Sequence, residues 1–160
     1  MPLRFRLMSA LCPVIPDLDV AGFGYGVSYE HFFGHRGFFH SVFFAMFAGV
    51  VCAIIYLWNC NASLKRKWLF SVYFFLLTAS NGILDAFTNG GLGVALLSPF
   101  DNTRYFWPWR PIHVSPIGLG TFFSKYGIIA LKSEFIWVWV PCLTVLLFVI
   151  VFRCLFVRKN

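Results

Sequence analysis

The sequence predicts an all-α fold, a polytopic membrane helix bundle, and three observations carry the prediction. Hydrophobic residues make up 59% of the 160, charged residues 12%, and the mean hydropathy is +0.76, so a water-soluble domain of this length could not hide its apolar surface. Three apolar runs approach the roughly 20 residues that cross a hydrocarbon core. The basic residues stand in short clusters beside those runs, where they report topology.

The first predicted helix covers 3–15, is short, and carries Arg4 and Arg6. It is read as a partial span, a helix lying against the others, or the remainder of a longer one. A cleaved signal peptide is disfavoured, because no small-residue cleavage site follows and Pro13 and Pro16 break the run. Strong transmembrane helices are predicted over 39–58, 68–85 and 135–152, within one integral membrane domain spanning 1–160. By the positive-inside rule, Lys65, Arg66 and Lys67 and the 153–159 tail belong on the cytoplasmic side, and Arg4 and Arg6 join them if the first helix crosses. The outer face then receives 16–38 and a long loop over 86–134. Within that loop, Gly-rich 88–100 suits a turn or re-entrant piece, aromatic and Pro-rich 105–117 a rigid strip at headgroup level, and 120–131 a short interfacial helix.

The net charge of +7 would suggest nucleic acid or anionic lipid as the partner of a soluble protein. Here the basic residues serve topology, so membrane lipid is the expected partner and nucleic acid is not. The five cysteines form no CxxC pair and lie in or beside apolar segments, which argues against a zinc knuckle or a disulfide framework.

All four histidines (His31, His35, His40, His113) and all six acids fall in the outer segments or at their edges. An Asp-x-Asp pair follows Pro16 (Asp17, Asp19), a His-x4-His pair (His35, His40) precedes the second helix, and Asn81 and Asp85 share a face of the third. Consecutive crossings joined by a short loop are antiparallel neighbours, so His40 and Asp85 should meet at one membrane face. Oxygen and imidazole donors together suit zinc, manganese or iron. Each piece has a bland reading: a turn or helix cap for the acids, interfacial hydrogen bonding for the histidines, a solvated helix end for Asp85. Ionisable groups near membrane depth are costly unless paired or coordinated, and their convergence favours a site. His113, inside the aromatic strip, is read as structural.

The stretches "PDLD" (16–19), "GHRGFFHS" (34–41) and "GILDAFTNGGLGVALLSPFDNTRYFWPWRPI" (82–112) resemble the bacterial YdjM-type, LexA-regulated, membrane-bound metal-dependent hydrolases. The resemblance covers 2–117, and the last helix matches in character. It implies an inner-membrane hydrolase with Asp17, Asp19, His35, His40 and Asp85 as metal ligands or their supports, His31 and Asn81 as further candidates, and zinc ahead of manganese or iron. A looser likeness extends to helical zinc phospholipase C and nuclease sites. Against the family pattern, this chain begins inside what would be the second helix, and a further N-terminal segment with a histidine is expected. Asn81 stands where the family tends to carry His, and Phe39 where it often carries Thr.

The expected function is metal-dependent hydrolysis of a phosphoester or lipid-linked substrate at the periplasmic face of a bacterial inner membrane. Arg36, with Arg104 or Arg110, would neutralise an anionic oxygen. The alternatives are a non-catalytic or degenerate protein that binds a metal or a lipid headgroup, and a small ion or proton transporter component. The absence of an inverted repeat speaks against the last.

Overall fold

The computed structural model describes residues 2–157, which are helical with turns and only the isolated bridges Thr88–Ile112 and Val94–Tyr105. The chain separates into two compact units, one from residues 2–87 and 91–108, the other from 88–90 and 109–157.

In the first unit, helix α1 (Leu3–Leu11) runs into a 3-10 turn (Cys12–Val14) and then a 3-10 helix (Pro16–Tyr25), bent by 54°. Pro13 and Pro16 remove backbone donors from this junction, which ends the α-helical ladder. Helix α2 (Val42–Leu57) begins where the Ser41 side chain accepts from Phe44 N at 3.0 Å. Helix α3 (Leu64–Ala86) is capped in the same way by Ser63, whose side chain accepts from Arg66 N at 3.4 Å. The buried residues of α2 are mostly small (Ala45, Ala48, Gly49, Cys52, Ala53), and a Cβ on Gly49 would run into the backbone of Phe75 on α3. Small residues let antiparallel helices approach closely where lipid offers no hydrophobic drive. Phe74 is fully buried between them with Cys12, Cys52 and Ala53, ringed by Phe5, Tyr56 and Phe70.

In the second unit, a short α4 (Leu119–Phe122) precedes α5 (Lys125–Glu134), a π-turn (Phe135–Trp139) and α6 (Val140–Phe152). The last three run on into a further π-turn (Arg153–Val157), and Lys125–Leu155 forms one 31-residue apolar helix. Pro141 lacks the donor that a regular ladder needs, and the wider turn just before it accommodates the break.

Several expected boundaries are corrected. The predicted helix over 135–152 begins at Lys125 and absorbs most of the piece read as interfacial; the helix over 68–85 begins at Leu64, with Lys65, Arg66 and Lys67 inside its first turn. The outer segment 16–38 opens as a 3-10 helix over Pro16–Tyr25. Of the three strong spans expected, two helices, Leu64–Ala86 and Lys125–Leu155, are long and apolar enough to cross a membrane, and a third arises if the bent pair is counted as one. The run over 39–58 falls short: Phe38–His40 forms its own 3-10 turn and Ser41 takes the cap, leaving 16 residues in α2.

Candidate metal centre

Four stretches of the first unit converge at one end of the α2–α3 pair. The 3-10 helix Pro16–Tyr25 supplies Asp17 and Asp19, and with about three residues per turn, positions two apart face different ways. The two carboxylates therefore meet the His40 ring from opposite nitrogens: Asp17 Oδ1 is 3.4 Å from Nε2, and Asp19 Oδ2 is 3.1 Å from Nδ1. The other Asp19 oxygen lies 2.8 Å from His35 Nδ1. The two imidazoles stand edge to face, 5.2 Å between centroids.

Helix α3 contributes from its last turns. Asp85 Oδ2 lies 3.3 Å from His40 Nε2, and Asp85 Oδ1 accepts from Arg36 Nη2 at 3.0 Å. One turn earlier, Asn81 Nδ2 donates to Asp17 Oδ2 at 2.6 Å, while the buried Asn81 Oδ1 has no hydrogen-bond partner among the described residues. Gly82 makes this meeting possible, because a Cβ there would clash with the His40 carbonyl oxygen.

His35 and Arg36 are carried by successive turns over 28–37, in which His31 N bonds Ser28 O, Gly34 N bonds His31 O, and Gly37 N bonds Gly34 O. Arg36 adopts a left-handed φ of 63°, its carbonyl accepting from Ala95 N at 3.0 Å while its side chain reaches Asp85. Arg104 donates to the carbonyls of His35 (2.9 Å) and Tyr29 (2.8 Å), and its guanidinium lies over the Tyr29 ring. Tyr29 and Phe23 pack edge-on against His35.

The side chains of Asp19 and His40 have no exposure, and that of Asp17 is 44% exposed, so Asp17 marks the side from which the cluster is reached. Burial alone would push the His40 imidazole down, but the neighbouring carboxylates of Asp17, Asp19 and Asp85 outweigh it and raise its pKa from 6.5 to about 10. Burial raises the Tyr29 phenol and lowers the Arg104 guanidinium from their ordinary values. Asp17, His35 and His40 can each offer one atom to an ion, and those atoms lie within 4.8 Å of one another. Nitrogen and oxygen donors at this spacing, with the unpartnered Asn81 Oδ1 beside them, fit a divalent cation.

The structure thus brings together Asp17, Asp19, His35, Arg36, His40, Asn81 and Asp85. It does not bring in His31, which is exposed and accepts from Phe33 N at 3.1 Å. Arg104 is bonded to backbone carbonyls of the loop that carries the histidines, and Arg110 is an exposed residue of the second unit. His113, whose ring meets the Asn89 amide at 2.9 Å, sits in that unit as well. Gly82 and Tyr29 were not singled out from sequence. The glycine lies between Asn81 and Asp85, where its closeness to both was readable, whereas Tyr29 has no local signal and gains its place from tertiary packing alone.

Fold and site together define a small helical membrane protein with a buried carboxylate–imidazole cluster at one end of a helix pair. The chain matches the family model "YdjM inner membrane protein" over residues 5–156, and it belongs to that family, as the motifs at 16–19, 34–41 and 82–112 led one to expect. It is similar to "Inner membrane protein YbcI" of Escherichia coli (strain K12), 39% identical over 140 residues that cover 88% of this chain and 79% of that protein. No solved structure matches the chain significantly.

Proposed function

We propose that the protein is a metal-dependent hydrolase of the inner membrane, acting on a phosphoester in a lipid or lipid-linked molecule. The observation that carries this reading is the approach of Asp17, His35 and His40 to within 4.8 Å of one another, with Asp85 and Asn81 beside them. These residues would hold the ion, with zinc ahead of manganese or iron for a mixed imidazole and carboxylate set. When bound, a divalent ion supplies Lewis acidity, polarising a phosphoryl oxygen and acidifying water. Arg36 fixes Asp85 through Oδ1 and leaves Oδ2 on the His40 side, and its guanidinium would offer a positive charge to an anionic substrate oxygen.

Arg4 bonds the Ile55 carbonyl and Lys67 lies near Ala53 and Leu57, so the basic end of the α2–α3 pair is opposite the cluster. The positive-inside rule then supports an outer, periplasmic location for the site. A cysteine at Thr103 should react with an impermeant reagent from outside and one at Ser63 should not; the reverse pattern rejects this orientation.

The function itself is tested on protein purified in detergent. Metal analysis should find a bound transition metal, and His35→Ala should remove both the ion and phosphoesterase activity. Retention of all measured hydrolysis in His35→Ala and Asp17→Ala would rule out catalysis by this site. Asn81, a weaker donor than imidazole, favours a second reading: a protein that takes up metal or a headgroup without turnover, for which wild type would bind metal and hydrolyse nothing.

A further inference from the structure

We propose that Asp19 is a positioning residue rather than a metal ligand: one carboxylate that orients both histidines, so that each presents Nε2 to the ion. This rests on the metal-centre reading above. Each Asp19 oxygen faces a different imidazole, Oδ1 at 2.8 Å from His35 Nδ1 and Oδ2 at 3.1 Å from His40 Nδ1. The second contact is a close ion-pair approach rather than a well-directed hydrogen bond, and both atoms are buried with no hydrogen-bond partner among the described residues.

An ionised carboxylate can only accept, so both facing Nδ1 atoms must carry protons. With Nδ1 of each ring held by Asp19, Nε2 is the nitrogen left to meet an ion, and at His40 the proton that faces Asp17 and Asp85 there is the one the ion displaces. The positions of the other acids agree with it. Asp17 and Asp85 approach His40 at Nε2, and the ring of His35 makes its only hydrogen bond among the described residues through Nδ1. Asp19 has no side-chain exposure, whereas Asp17 is 44% exposed, as expected of a buried support behind the rings and an accessible ligand in front of them. Residues that orient metal-bound histidines in this way typically change affinity by about 10–100-fold without changing the ligand set.

An asparagine at this position can accept from one Nδ1–H through its oxygen but must turn an N–H donor toward the other. Alanine can accept from neither. The experiment titrates cobalt(II) into the purified wild type, Asp19→Asn, Asp19→Ala and Asp17→Ala. It reads the affinity and the ligand-field spectrum. The expected result is that both Asp19 variants keep the wild-type spectrum, with affinity falling in the order wild type, Asp19→Asn, Asp19→Ala, about 10–100-fold overall. Asp17→Ala should instead change the spectrum. Unchanged affinity in Asp19→Ala, or a spectrum altered in the same sense as that of Asp17→Ala, overturns the assignment while leaving the metal centre standing. If wild type takes up no cobalt, the metal centre fails and the assignment with it. A measurement that needs no variant is 15N NMR of histidine-labelled, zinc-loaded wild type. Two imidazoles coordinated through Nε2 with Nδ1 protonated support the proposal, and coordination through Nδ1 in either one overturns it.

Discussion

His40 lies between three carboxylates, and in the metal-free chain its proton is held up to a pKa of about 10. That proton must leave before the ring can ligate, so metal uptake competes with it at every pH below about 10. Apparent cobalt affinity should therefore keep rising from pH 6 to 8, by about tenfold per unit for each proton displaced. A plateau above pH 6.5, the behaviour of an unperturbed histidine, would contradict the arrangement. Gly82 is equally decisive on steric grounds, because a methyl group there displaces the His40 backbone. Gly82→Ala should weaken cobalt binding at least tenfold while the α-helical circular dichroism stays near wild type; wild-type affinity would show that the contact relaxes freely. The candidate donor residues and the meeting of His40 with Asp85 were legible in the sequence, since each motif carries its chemistry in its spacing. The division of labour was not: whether Asp17 or Asp19 faces outward depends on the 3-10 winding that follows Pro16, and Arg104 on packing against a loop nearly 70 positions away.

At the level of elements, the site depends on where helices begin. Ser41 caps α2 directly after His40, so the same short stretch ends the site and starts the helix. Ser41→Ala removes that cap and should cost about 1 kcal/mol, read as a lower unfolding midpoint in detergent. An unchanged midpoint would mean that packing alone sets the start of α2. The helices themselves were readable because long apolar runs leave few alternatives in lipid. Their ends were less so, for identifiable reasons. Pro13 and Pro16 divide the first segment, Ser41 shortens α2, and the π-turn before Pro141 joins two pieces that read as separate.

For the whole molecule, an ion at the proposed site would link metal uptake to folding. Asp17 and Asp19, His35, His40 and Asp85 come from separate stretches, so an ion held among them favours the folded chain over any state in which they part. Zinc at about 100 times its Kd should stabilise the protein by about 2.7 kcal/mol, and chelator should reverse the shift. A melting temperature indifferent to both would argue that the cluster holds no ion. Arg104 carries a different consequence. A segment such as 28–37, neither helix nor strand, ordinarily needs bulk water for its carbonyls, and the hydrocarbon region offers none. By serving the carbonyls of Tyr29 and His35, Arg104 stands in for that water. On the proposed reading, the loop would then settle against the leaflet, and a lipid substrate with its tails in the bilayer would reach the histidines without being lifted out of it.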